Sequence, residues 1–365
     1  MIMGKFPRFA IVIPTAFRVR RREIERRALA LVQSRCFEGQ EIVVSHGTLG
    51  DDTGFCRELE KAGAHVTSTR LGSAEVPLGL LRNRGAELAT AEYLLFWDVD
   101  LAPPADFVNT LASWLKQSAS GFAIVPCLYA SAAGTRRFTR GATFDPNIAL
   151  DAFYQHRREL LLHVALNTST LAITRNRFFD LGGFDERYLD HGLEDLDFLL
   201  RLALTDEQLP IPTDLFTDER HQSPAFSTGF RSVLNLLSLP LLLSSVVSLH
   251  RWHRRPKFGG YYQRRGENWQ LFQQNIRNAL NGRALGSIGA EWKDVTRSDG
   301  TLDSVLVVHR LLSRCGSGPS DPSALFDEVP QFYFHPDRFR RRLLRSLLGV
   351  LGHKKGPSRV AHDDF

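Results

Sequence analysis

Cysteine is scarce and poorly placed for chemistry: Cys36, Cys56, Cys127 and Cys315 lie far apart, with no Cys-x-x-Cys pair. That argues against a disulfide framework and a cysteine-based zinc site, and points to a reducing compartment. A long apolar run is also missing. The most apolar segment, 233–249, is interrupted by Asn235, Pro240 and several serines, and falls short of the roughly 20 apolar residues that a membrane span needs. A buried or interface-lying helix is expected there. Residues 1–8 are too few to hold a charged region, an apolar core and a cleavage site before the first strand, so no signal peptide is expected. Internal repeats and low-complexity tracts are absent. So are an aromatic-interleaved basic patch and any nucleic-acid reader motif, and nucleic acid is therefore not expected as a partner.

Against these absences stand 365 residues, 43% of them hydrophobic, enough for a sizeable core in one large domain or two. The net charge of +6 suits an anionic substrate, a nucleic acid or an acidic lipid surface, without choosing among them. Short apolar strands alternate with helical patterns. Strands are expected at 9–14, 41–45, 64–68, 93–101, 121–129, 168–174 and 246–252. Helices are expected at 18–34, 52–62, 78–90, 107–117, 151–162, 177–183 and 194–204. Alternation of this kind predicts βαβ units and a mostly parallel, doubly wound sheet, in which ligands sit beyond the strand C-termini. Past Pro256 strand signals fade and helical segments dominate, which divides the chain into 1–255 and 256–365.

The apolar run Tyr93–Trp97 ends in Asp98-Val99-Asp100. On an extended chain this spacing puts both carboxylates on one face at the strand edge, where they suit a hard divalent cation and, through it, a diphosphate. Leu81-Arg82-Asn83-Arg84-Gly85 just upstream supplies cations for such a group; Arg84 reads as part of a solvated helix face. A second acidic group, Glu194-Asp195, opens a helix after Gly182-Gly183-Phe184-Asp185-Glu186. A partly desolvated carboxylate there can take a hydroxyl proton. Asp197 points elsewhere on that helix and pairs with Arg201 at i+4. His250 and His253 fall on opposite faces of an extended chain, so one histidine at most is expected to join two carboxylates in a manganese-like site.

In order and spacing these pieces resemble the family 2 glycosyltransferases with the GT-A fold. They are most similar to the bacterial capsule and chondroitin-polymerase type, with an acceptor motif like that of β-1,4-galactosyltransferases. The resemblance rests on Ala10–Thr15, Arg82–Gly85, Phe96–Asp100, Leu181–Glu186, Gly192–Phe198 with Arg201, and Trp252-His253, and covers about residues 8 to 265. It implies a GT-A fold, a Rossmann-like and mostly parallel sheet flanked by helices, with a helical C-terminal extension. It further implies an inverting transferase that uses Mn²⁺ or Mg²⁺ and a nucleotide-diphosphate sugar, a UDP-sugar by preference, and acts on a glycan or lipid-linked glycan. By the same resemblance Asp98 approaches the ribose or the metal, Asp100 and His253 bind the metal, and Arg82 contacts the donor near its diphosphate. Asp195 is the base and Glu194 holds the acceptor.

Two departures stand out. Where the family carries an Asp after its second strand this chain has Ser45-His46-Gly47, leaving Thr15 and nearby loop groups to meet the base. His191 replaces the Trp of the galactosyltransferases. A fold that has kept glycan binding but lost catalysis is the alternative reading, and a nucleotidyltransferase of similar fold a further one. Residues 337–351 read as a helix with Phe339, Leu343, Leu347 and Leu351 on one side and arginines on its flank. Such a helix either docks on an anionic membrane or packs on the catalytic domain. The expected location is cytoplasmic, with peripheral contact at the inner membrane face.

Overall fold

The computed structural model describes residues 7–17, 20–72, 76–118, 120–190, 192–219, 223–254, 264–315 and 319–327. His191 and the 337–351 segment lie outside these. The chain opens with β1 (Phe9–Ala16), α1 (Arg21–Val32), β2 (Glu41–Thr48), α2 (Thr53–Lys61), β3 (His65–Arg70), α3 (Leu78–Leu88) and β4 (Tyr93–Phe96). There follow β5 (Leu101–Ala102), α4 (Phe107–Ser118), β6 (Phe122–Ile124), β7 (Cys127–Ala130), α5 (Ala132–Phe138), a hairpin of β8 (Thr139–Arg140) and β9 (Thr143–Phe144), and α6 (Pro146–Tyr154). The remainder comprises β10 (Leu161–Ala165), β11 (Leu171–Thr174), α7 (Arg175–Asp180), α8 (Glu194–Ala203), α9 (Gly229–Leu243), β12 (Ser248–His250), α10 (Arg265–Ala279) and α11 (Ser304–Arg314).

The main sheet has the order β3-β2-β1-β4-β11-β6. Its first four strands are parallel, and β11 runs against both β4 and β6. Alternate residues of β1 feed opposite faces. Phe9, Ile11 and Ile13 join a core built with α1, α2 and α4, while Ala10 and Val12 join a second core with α3, α8 and α9. The mixed α/β architecture with helices on both faces is thus the expected one. Because β2 and β3 extend the sheet to one side of β1 and β4 to the other, the order in which strands are added reverses at the β1/β4 crevice. Ligands of doubly wound sheets bind at such a switch point.

A second, four-stranded sheet, β10-β7-β12-β5, was not expected. It arises because the 121–129 strand breaks at Pro126, which has no N–H for the ladder. β6 stays in the main sheet, while β7 turns away to pair with β10 and β12. The helix expected at 151–162 instead starts at Pro146, capped by Asp145 Oδ1, which accepts from the Asn147 amide at 3.0 Å. It ends at Tyr154, and 161–165 is strand. α9 is buried along most of its length, and no described helix is long and apolar enough to cross a membrane. α10 packs on α8, with Phe272 and Ile276 fully buried in the same core.

Gly85 lets α3 lie close on β1, since a Cβ there would stand 2.4 Å from Val12 Cγ1. Gly85→Ala is therefore expected to destabilise the fold by about 1–3 kcal/mol, the usual cost of overpacking. Urea unfolding measures it, and a variant as stable as the parent would show that this contact relaxes freely.

Candidate functional site

α3, β4 and the segment leading into α8 converge on Arg82, of which 1% is exposed. Its Nη1 donates to Glu194 Oε1 at 3.0 Å and its Nη2 to Asp98 Oδ1 at 3.1 Å. Ser169 donates to the other oxygen of Asp98 at 2.7 Å. Next along α3, Asn83 acts as a backbone surrogate: Phe184 N donates to its Oδ1 and its Nδ2 donates to Phe184 O, both at 2.9 Å. Gly183 (φ +67°) is required there, since a Cβ would stand 2.8 Å from Asn83 Oδ1. The Arg-Asn and Gly-Gly-Phe motifs are therefore two halves of one clamp. The clamp carries the chain to Leu193, whose φ of +77° is costly for a side-chain-bearing residue, immediately before Glu194.

Glu194 is buried, and its Oε2 has no hydrogen-bond partner among the described residues. Burial and the adjacent Asp195 charge push its carboxyl up to about 7, against the pull of Arg82. A carboxylate so poised can exchange a proton near neutrality. Asp195 is more exposed and accepts from the Leu196 amide at 2.8 Å. Asp197 is structural as expected: fully buried, it takes Arg201 Nε at 2.8 Å and the hydroxyl of Tyr188 at 3.2 Å.

Asp98 and Asp100 do not share a face, contrary to the extended-chain expectation. β4 stops at Phe96 and residues 99–100 form a turn, so the two carboxylates meet different partners. Asp100 accepts from Arg20 Nη2 at 2.7 Å and from Arg27 by a short contact, and His253 Nε2 stands 3.4 Å from it. Burial opposes its ionisation, but the Arg20 hydrogen bond, the Arg20 charge and the two neighbouring imidazoles outweigh burial and hold the carboxyl well below its usual range.

His250 and His253 are likewise brought together rather than apart. β12 ends at His250, the chain leaves the extended conformation, and the two rings come within 5.2 Å. Ligating atoms of Asp100, His250 and His253 all lie within 4.8 Å of one another. One carboxylate and two imidazoles fit a borderline divalent cation such as Mn²⁺ better than Mg²⁺. Burial lowers His253 despite the neighbouring Asp100, favouring the neutral, ligating form.

At the ends of β1 and β2, Thr15 and His46 are buried and bonded to each other, Oγ1 to Nδ1 at 3.0 Å. His46 Nε2 meets Asp52 Oδ2 at 3.1 Å, and Thr48 donates to the same oxygen at 2.8 Å. A carboxylate thus stands near the place left by Ser45-His46-Gly47, delivered from the residue that precedes α2 rather than from the strand. Arg84 is exposed and pairs with Glu87. Sequence reasoning singled out Thr15, Arg82, Asp98, Asp100, Glu194, Asp195 and His253 as candidates. It missed Arg20, Arg27, Asp52 and Ser169, which carry no motif, and passed over His250 because strand periodicity was extended too far.

The sequence profile described as "Glycosyltransferase like family 2" matches residues 10–278. No curated protein matches the chain in sequence. Among solved structures, S. aureus TarS residues 1–349 is 16% identical with a TM-score of 0.37, over 54% of this chain and 55% of that one. The match thus spans about half the length of that relative. The mannosyltransferase PcManGT of Pyrobaculum calidifontis, solved with GDP-Man and Mn²⁺, is 15% identical with a TM-score of 0.42, over 96% and 82% of the two chains. Glucosyl-3-phosphoglycerate synthase of Mycobacterium tuberculosis is 15% identical, with a TM-score of 0.33 over 77% and 82%.

A carboxyl raised to about 7 when folded, from an ordinary 4.5, contributes stability below pH 4.5 that is lost as the pH rises to 7. Glu194→Gln is neutral throughout. Relative to the parent, it is expected to gain about 3 kcal/mol in urea unfolding between pH 4.5 and 7.5. Parallel pH profiles of the two proteins would show that Glu194 titrates normally.

Proposed function

This chain belongs to the glycosyltransferase like family 2, and we propose that it is a metal-dependent inverting glycosyltransferase. It moves a sugar from a nucleotide-diphosphate donor to a hydroxyl of a glycan or lipid-linked glycan acceptor. The observation that carries this reading is the pairing of two sites where β4 ends. One is the Asp100-His250-His253 donor set; the other is the Arg82-Asp98-Glu194 network beside Asp195.

Asp100, His250 and His253 would hold Mn²⁺, which when bound supplies Lewis-acid stabilisation of the leaving diphosphate. Arg20 and Arg27 must release Asp100 for the carboxylate to serve as a ligand. Asp98 faces the ribose or the cation, with its orientation set by Ser169 and Arg82. Arg82 presents its charge toward the diphosphate while tying Asp98 to Glu194. Asp195 takes the acceptor hydroxyl proton as general base, and buried Glu194 orients the acceptor. Thr15 sits with His46 and Asp52 at the base end of the donor, for which a uridine nucleotide remains our preference.

The process proposed is bacterial capsule or surface-polysaccharide synthesis, at the cytoplasmic face of the membrane. Residues 1–255 form the catalytic part in this reading. Residues 256–365 form a helical extension whose 337–351 segment contacts anionic lipid. One observation favours the alternative, a glycan-binding protein that has lost catalysis: Asp100 is already engaged by two arginines.

Release of nucleoside diphosphate from a panel of nucleotide sugars with Mn²⁺ tests the proposal. Asp195→Asn is expected to lower kcat by about 10²- to 10⁴-fold, the usual contribution of general base catalysis. Near-parental turnover in a folded Asp195→Asn protein would remove the base assignment. In Mn²⁺ titrations followed by electron paramagnetic resonance, Asp100→Ala and His253→Ala should each bind the ion far more weakly than the parent. A parent that binds no Mn²⁺ and turns over no donor would decide for the inactive alternative.

A further inference from the structure

Beside Asp100, between α1 and the α5–β9 segment, lies a cavity of ≈720 Å³ lined in part by Arg26, Arg27, Arg35 and Arg251, with no Asp or Glu in its wall among the described residues. Its charges do not balance locally. Arg20 and Arg27 are matched by Glu23 and Asp100. Arg251, 7% exposed, donates among the described residues only to backbone: its Nη2 to Val99 O at 2.7 Å and its Nε to Asp100 O at 3.3 Å. Arg26 and Arg35 have no carboxylate partner among the described residues. Arg26 and Arg35, without a carboxylate partner among the described residues, and Arg251, whose printed hydrogen bonds go to backbone carbonyls, therefore line one concavity. Thr135 adds a hydroxyl there, whose oxygen accepts from the Trp252 amide at 2.8 Å.

We propose that this cavity is an anion site that binds a phosphate group, beside the Asp100 cluster and distinct from the nucleotide-sugar site. Planar guanidinium forks match phosphate oxygens bidentately, and three of them suit a dianion better than a carboxylate. The volume exceeds that of a bare phosphate and falls in the range of small-molecule sites, so there is room for an organic body on the phosphate.

Calorimetric titration of the full chain in EDTA, with inorganic phosphate and with glycerol 3-phosphate, tests the proposal without donor or metal. A failed transfer assay therefore leaves the result intact. Both probes are expected to bind the parent, and the Arg26→Ala/Arg35→Ala double variant should bind at least ~10-fold more weakly. Both residues are exposed and unpaired, so the variant should fold. Arg57→Ala/Arg70→Ala, which removes the same charge elsewhere on the surface, should bind like the parent. Tighter binding of the ester would identify an organic phosphate as the ligand, and equal binding a free phosphate. The proposal is overturned if the cavity variant binds like the parent, if the two double variants weaken binding equally, or if UDP displaces the probes.

Discussion

A buried arginine holds the candidate site together. Arg82 is out of contact with solvent, yet its charge is kept by Asp98 on one side and Glu194 on the other. Breaking a buried ion pair by removing one partner costs about 3–5 kcal/mol, because the remaining charge is stranded. That constraint fixes the end of β4 against the start of α8, which are almost one hundred residues apart in sequence. Asn83 adds a second tie one residue along, through the Phe184 backbone. Glu194 is thereby kept in a position where its own ionisation is disfavoured.

The two acidic residues of the Asp-Val-Asp stretch serve different neighbourhoods. Asp98 belongs to the Arg82 network. Asp100 faces the second sheet, where β12 pairs with β5 and brings His250 and His253 toward it. Pro126 is the pivot of this arrangement. By ending β6 it frees β7 to seat β12 alongside, so a missing backbone donor shapes the cation-type site. The same turn that separates the carboxylates leaves Asp100 within reach of Arg20, just before α1, and Arg27 on it.

Much of this was legible because it was local. The alternation of apolar residues in β1 and β4, the helical spacing of α1 and α8, and the Asp197–Arg201 pair all depend on neighbours within a few residues. The errors came where a local rule was carried past the end of an element. Strand periodicity was applied to 98–100 and to 250–253, where the chain had already left the sheet, so predicted facings were inverted. The four-stranded sheet could not be read at all, since its strands are two to five residues long and drawn from distant segments.

The sequence by itself determined the α/β class, the order of the strands from β1 to β4, and the identity of the acidic and basic groups that mark the site. These follow from residue type and short-range period, which act before the chain folds back on itself. Tertiary structure decided which carboxylate meets which cation. It joined His250 to His253, placed Asp52 behind His46, set Arg20 and Arg27 on Asp100, and gathered four arginines around one cavity. Such partnerships depend on distance and burial between segments remote in sequence, because the energy of a charge depends on what surrounds it.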